Sequence, residues 1–327
     1  MSDVVTFGEA MIRLAPPSNR RLEQTGTLEM TVGGAELNVA SGVSRLGLTS
    51  SWVSSLPANA LGRRVRNRAR EFGVDTSHVA WDDGGRVGLF FVEYGASPRA
   101  SSVLYDRAAS SFSELRGATF DWPSILAGAR AYHTTGITAA LGERTAEQVA
   151  TSLAAARGAG LLTSYDLNYR RKLWSPEKAR AVQEPLMDLV DVLITTEEDA
   201  EVVFGISGSD YREVARRLVE RFGFRVVTIT IRGDLSVLRN TWTAIAYADG
   251  AIVDDRVYDL ELVDRVGGGD AYAAGFLYGL LTGDVAKGVR YGNAFSALKQ
   301  ASWDDFNFAT LAEVEAQLKG AGSRIVR

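Results

Sequence analysis

Hydrophobic positions along the chain change period several times, and each change marks an element. Val4-Val5-Thr6-Phe7-Gly8 is a short β-rich run closed by glycine, the pattern of a buried strand feeding a loop. From Ala35 to Leu46 the apolar residues Leu37, Val39, Ala40, Val43 and Leu46 recur at helical spacing. Gly33-Gly34 lead into this helix and Gly47 stops it. From about Ala129 the alternation becomes regular. Arg130 to Thr134, Leu161 to Asp166, Val190 to Thr195 and Arg225 to Ile231 read as strands, and Glu143 to Ala159, Glu198 to Phe204 and Tyr211 to Phe222 read as the helices between them. Repeated βα units require a parallel sheet with helices on both faces, so the expected fold class is α/β and doubly wound. In such sheets ligands sit beyond the carboxyl ends of the strands.

Two stretches break the alternation. Residues 12 to 32 hold Pro16-Pro17 and polar turn formers. Arg86 to Asp106 reads instead as two antiparallel strands, carried by Val87, Leu89 and Phe91 and then by Val103 and Tyr105, joined by a loop from Gly95 to Ser101. No fixed-period repeat is present.

The chemistry concentrates at Asp264-Arg265-Val266-Gly267-Gly268-Gly269-Asp270, which runs directly into the small-residue helical stretch Ala271 to Leu277. Backbone amides at a helix start are unpaired, and glycines let an anion approach them, so this segment is suited to phosphate. Asp270 beside bound phosphate fits a base acting on an alcohol. A glycine-rich helix start with an acidic cap is the plain structural alternative.

Composition narrows the options. Of 327 residues, 46% are hydrophobic and 23% charged, and 36 basic against 40 acidic side chains leave a net charge of -4, which gives no basic surface for nucleic acid. With no cysteine, thiolate metal sites and a cysteine nucleophile are excluded. No apolar run is long enough to span a membrane, and the amino terminus shows no export pattern, so the expected compartment is the cytoplasm and the expected partners are small molecules. Of the two histidines, His133 lies on a predicted core strand and reads as structural, and His78 is placed on a loop.

Gly33-Gly34-Ala35-Glu36-Leu37-Asn38-Val39-Ala40 and Gly267-Gly268-Gly269-Asp270 together resemble the two signatures of the ribokinase-like (PfkB) carbohydrate kinases. Further segments resemble the 2-keto-3-deoxygluconate kinases within that family: Gly8-Glu9-Ala10, Leu104 to Arg107, Gly136-Ile137-Thr138, Asp166 to Arg170 and Leu173 to Pro176. The resemblance covers nearly the whole chain. It implies a ribokinase-like fold, with residues 1–11, 33–85 and 111–327 in a large α/β domain and 12–32 and 86–110 in a small β-sheet lid. It implies ATP-dependent phosphorylation of the terminal hydroxyl of 2-keto-3-deoxygluconate, with Mg2+ and, as a further candidate, a monovalent cation. Other sugars of the same family (fructose, ribose, tagatose) and an inactive regulator are the alternatives; retention of Asp270 argues against the last.

The resemblance also implies roles. Asp270 is the expected base, and the amides of Gly267, Gly268 and Gly269 the expected anion site; relatives commonly carry alanine where this chain has Gly268. Gly33 and Gly34 would let the backbone approach the sugar, and Asn38 would bond its hydroxyls. Phe90, Tyr105, Arg107, Ile137, Arg170 and Asp305 complete the expected substrate site, Phe90 standing where a relative has tyrosine. A carboxylate substrate accounts for Arg107 and Arg170, because guanidinium groups pair with carboxylates bidentately. Asn168, Arg170, Thr230, Arg232, Gly267, Gly269 and Asn293 are the expected nucleotide contacts. The family's Asn-x-x-Glu motif is replaced by Thr196-Glu197-Glu198-Asp199, so no protein ligand to Mg2+ is assigned. A lid sheet with exposed edges favours a homo-oligomer. No GxGxxG turn follows the first strand, which argues against a Rossmann dehydrogenase.

Overall fold

A computed structural model describes residues 2–320. Its strands are β1 (Val4–Phe7), β2 (Met11–Ala15), β3 (Glu29–Gly33), β4 (Ser50–Pro57), β5 (Val79–Asp82), β6 (Leu89–Glu93), β7 (Ser102–Asp106), β8 (Ala131–Thr135), β9 (Leu162–Asp166), β10 (Val192–Thr195), β11 (Val226–Ser236), β12 (Arg239–Ala248), β13 (Ala251–Asp254) and β14 (Tyr258–Glu261). The larger sheet has the order β13-β12-β11-β10-β9-β8-β1-β4-β5, with β14 also paired to β12. From β5 to β11 every pairing is parallel; β12 joins antiparallel and extends the sheet at one edge. The parallel strands β1, β8 and β10 are buried at every position, as a sheet covered on both faces requires.

Strand order reverses beside β1. The chain leaves β1 toward β4 on one side, while β8 flanks it on the other. This is the position where an open α/β sheet parts to admit a ligand. Three helices meet there: α1 (Ala35–Arg45), the short α2 (Gly136–Ala140) after β8, and α3 (Gly268–Thr282). The last is buried along most of its length, from Ala271 to Gly279, so it is apolar all round and not amphipathic. Its small residues allow close packing: a Cβ on Gly275 would lie 2.6 Å from the carbonyl oxygen of Tyr291, on α4 (Val285–Gln300).

The second sheet has the order β3-β2-β6-β7 and stands over the reversal point. Its strands β6 and β7 fall where alternation predicts an antiparallel pair, joined by the expected loop. Strands β2 and β3 come from the stretch left without regular elements. The alternation is hidden there because Arg13 is buried between apolar neighbours. The hairpins from β12 to β14 were likewise not read from the sequence.

Candidate active site

The helix that begins at Gly268 does so because Gly267 adopts a left-handed conformation (φ 82°) that a side chain rarely takes. A Cβ on Gly267 would also lie 2.4 Å from the carbonyl oxygen of Asp305. Gly269 faces open space, with nothing within 4 Å of where its Cβ would be. The amide of Gly268 is turned inward and donates to the carbonyl of Arg265 at 3.2 Å, so it departs from the expected set of three outward amides. The first-turn amides of Gly269 and Asp270 have no acceptor among the described residues.

Asp270 sits in that turn, and its Oδ2 accepts a 2.6 Å hydrogen bond from Nδ2 of Asn38. The two residues are 232 positions apart and come from α3 and α1. Oδ1 of Asn38 accepts from the amide of Gly34 at 3.4 Å, so both ends of this side chain are engaged within the protein. Asn38 therefore holds Asp270, and its second Nδ2 hydrogen is left to the cavity that the residue lines. Burial pushes the Asp270 carboxyl above the usual carboxylate range, against the opposing pull of Asn38, Arg170 and Lys299.

A cavity of about 1160 Å3 opens over these groups, between the two sheets. Gly33, Gly34, Asn38, Phe90, Tyr105, Arg107, Ile137, Asn168, Arg170, Thr230, Arg232, Gly267, Gly268, Gly269, Asp270 and Asp305 all line it. Asn293 does not. It is buried in α4, where its Nδ2 donates to Asp255 at 3.3 Å. Its place on the helix after α3 was legible, but not the face it presents.

On the lid wall, Phe90 stacks on Tyr105 with ring centroids 6.0 Å apart, and the Arg107 guanidinium lies over the Tyr105 ring. Arg107 is already paired. Its Nε donates to Glu9 Oε2 at 2.9 Å, Nη2 bonds the same oxygen, and Ser110 bonds the other. Glu9 was quoted in the family resemblance without a role; its contact with Arg107 spans 98 residues and left no local signal. Arg170 is exposed at the opposite wall and, among the described residues, donates only to the carbonyl of Tyr169 at 3.2 Å. Asp305 is buried and held by Arg13 at 2.7 Å, not a surface acid; burial pushes its carboxyl up to about 6.

Glu36, Asp166 and Asp199 also face the cavity. Oε1 of Glu36 accepts from the amide and hydroxyl of Thr135 and from the hydroxyl of Thr138, and burial pushes its carboxyl up to about 7. Asp166, at the end of β9, is raised by burial and then by the charges of Asp270 and Asp199. Asp199, in the replaced Asn-x-x-Glu segment, accepts from the amide of Tyr169 at 3.2 Å and is pushed up to about 6, mainly by burial. His133 is buried, bonded to Ser164 and pushed down to about 3 by burial, a neutral core histidine as expected.

Comparison with known proteins agrees with this geometry. The profile of the pfkB family carbohydrate kinases matches residues 1–302. The chain is 40% identical, over 100% of its length and 99% of the relative's, to the 2-dehydro-3-deoxygalactonokinase of Haloferax volcanii. It is 29% identical to the 5-dehydro-2-deoxygluconokinase of Shouchella clausii, covering 96% of this chain and 94% of that one. The crystal structure of the 2-dehydro-3-deoxygluconokinase of Thermotoga maritima superposes with a TM-score of 0.94 at 41% identity, covering 97% of this chain and 98% of that one. With Asp270 at the mouth of a glycine-led helix beneath a β-sheet cover, and with matches of this extent, the chain belongs to the pfkB family of carbohydrate kinases.

Proposed function

We propose that the protein transfers the γ-phosphoryl group of ATP to the terminal hydroxyl of a 2-keto-3-deoxy sugar acid, 2-keto-3-deoxygluconate or its galactonate epimer. The observation that carries this reading is the Asn38–Asp270 pair at an open helix start, in a cavity that also presents Arg107 and Arg170. Asp270 takes the proton of the attacking hydroxyl, and Asn38 keeps its carboxylate aimed at that hydroxyl. The free amides of Gly269 and Asp270 stabilise charge on the transferring group. Arg170 and the uncommitted Nη1 of Arg107 receive the substrate carboxylate. Thr230, Arg232 and Asn168 line the nucleotide side.

Mg2+ bound with ATP would neutralise phosphate charge. The oxygens available to it are the carboxylates of Asp166 and Asp199, fitting an ion that keeps waters and phosphates among its ligands. No group of three or more metal-ligating side chains occurs among the described residues. The small sheet excludes water as a competing acceptor. Its strand β3 and the turn before it expose Leu28 and Met30, and β7 exposes Leu104, which supports pairing with a second copy. No helix among the described residues is long and apolar enough to cross a membrane, and a cytoplasmic location fits the family's chemistry.

One observation favours a second substrate class. Because Glu9 already neutralises Arg107, a neutral sugar such as fructose, ribose or tagatose would meet less uncompensated charge on the lid wall. A coupled ADP-release assay across both keto acid epimers and these sugars decides. Turnover is expected on a keto acid; turnover on neutral sugars alone would overturn the acid reading. Asp270→Asn should abolish turnover and leave ATP binding intact, and wild-type turnover in that variant would remove the proposed base.

A further inference from the structure

Lys299 is fully buried, and its place is beneath the glycine turn. Burying an ammonium is costly unless its donors are met. Here Nζ donates to the carbonyl of Asp264 at 3.0 Å and to the carbonyl of Ser302 at 3.4 Å, and its Cε would lie 3.3 Å from a Cβ on Gly267. The Asp264 carbonyl lies just before the turn, and the Ser302 carbonyl belongs to the segment after α4 that meets the turn at Asp305. The side chain of Asp264 is held from three other directions: Arg13 at 2.7 Å, Tyr94 at 2.8 Å and the amide of Val266 at 3.0 Å. Arg13 in turn holds Asp305 at 2.7 Å. Two cations and two anions thus form a buried cluster, and Lys299 is the member that grips backbone instead of carboxylate.

We propose that Lys299 is a positioning residue for phosphoryl transfer: its ammonium ties the chain entering the glycine turn to the segment after α4 that packs on that turn, and serves as the turn's resident cation, so the turn needs no exchangeable monovalent cation. The proposal rests on the kinase reading and adds to it a residue and an ion requirement. The same charge acts on Asp270 through space. The groups facing Asp270 are Asn38, Arg170 and Lys299, which favour its carboxylate, with Asp166 and Glu36 opposing. Those facing Lys299 are Asp264, Asp305 and Asp304, with Arg13 opposing.

The first test uses the unmodified protein. Initial rates in potassium, sodium and tetramethylammonium chloride at equal ionic strength should agree within about two-fold, since the salts then screen alike. Activation by potassium of about ten-fold or more would overturn the inference. Lys299→Met should lower kcat about 100-fold through misplacement of the turn, with KM for ATP and for the sugar acid changed only a few-fold. Its acid limb in kcat should move to higher pH, because a positive neighbour of Asp270 is gone. Lys299→Ala should regain activity with ammonium or methylammonium ions, which fit the vacated space, and not with tetramethylammonium. Unchanged kcat in Lys299→Met, or rescue by every cation alike, would overturn the proposal. Should both variants fail to fold, the rates of the unmodified protein decide. Absence of turnover by the unmodified protein on every sugar would remove the kinase reading itself, an outcome distinct from potassium dependence.

Discussion

Replacing Asn38 tests the least anticipated contact in the site. The bond from Nδ2 to Asp270 Oδ2 is 2.6 Å long, and its acceptor carries charge when Asp270 acts as a base. A hydrogen bond to a charged group contributes about 1.5–3 kcal/mol, and that amount applied to the barrier corresponds to roughly 10- to 150-fold in rate. Asn38→Leu keeps the approximate volume and removes both polar ends. Its kcat on the preferred sugar acid should fall within that range, with KM for the acid changed less, because the bond to Asp270 acts on the base whether or not sugar is bound. The sign of the pH effect follows from the same bond. Burial already holds the Asp270 carboxyl above its ordinary value, and Asn38 opposes that rise. Losing the donor destabilises the carboxylate, so the acid limb of kcat moves to higher pH. A steady-state pH profile of both proteins, in parallel with thermal melts, supplies the measurement. If KM for the acid rises by the predicted factor while kcat and the acid limb stay fixed, Asn38 binds sugar and the orienting role is refuted.

Glu36→Gln keeps the oxygen that accepts from Thr135 and Thr138 and removes a carboxyl that burial raises to about 7, from 4.5. The folded state therefore holds a proton that the unfolded chain has lost between those two values, and wild-type stability from this group falls as pH rises through that window. The variant should gain stability relative to wild type from about pH 5 to pH 7, reaching at most roughly 3 kcal/mol, and a pH-independent difference in thermal melts would refute it. Gly267→Ala places a side chain at positive φ against the Asp305 carbonyl and should cost about 2–3 kcal/mol in denaturant titration, whereas Gly269→Ala, in open space, should stay within about 1 kcal/mol. The reverse order would contradict the described turn. Arg170→Met should raise KM for the sugar acid more than Arg107→Met does, because Glu9 already pairs with Arg107; equal effects in the kinetic comparison would show that Arg107 meets the acid as a free cation.

Local signals carried the helices and most parallel strands. Tyr211 to Phe222 matches the observed helix at both ends, since its apolar positions and the glycine after it lie within one continuous stretch. Gly267 to Asp270 was legible for the same reason. The contacts that set the site's chemistry were not, because each joins residues far apart in sequence. Asn38 meets Asp270, Glu9 meets Arg107, and Lys299 meets the carbonyl of Asp264. Strand β2 was hidden by its own function: Arg13 interrupts the apolar pattern, and only Asp264 and Asp305, more than 250 positions away, explain its burial. Spacing likewise placed Asn293 on a helix but did not give its face, which packs toward Asp255 and away from the cavity lining.

The charges in the cavity explain why the site favours a cationic complement. Glu36, Asp166, Asp199 and Asp270 all have carboxyls raised by burial, and the first three are raised further by an acidic neighbour: Asp270 for Glu36 and Asp166, and Glu198 for Asp199. Arg170 is the group that opposes this for Asp166, Asp199 and Asp270 together. It stands between the acids and any anionic ligand, so a bound carboxylate or phosphate draws on the same guanidinium that the acids use. Added negative charge therefore needs added positive charge at the nucleotide side, which is the chemistry ATP supplies when it arrives with a divalent cation. On the proposed reading, a sugar acid that pairs with Arg170 shares it with Asp166, Asp199 and Asp270, and a divalent cation arriving with the nucleotide would offset part of the negative charge so gathered.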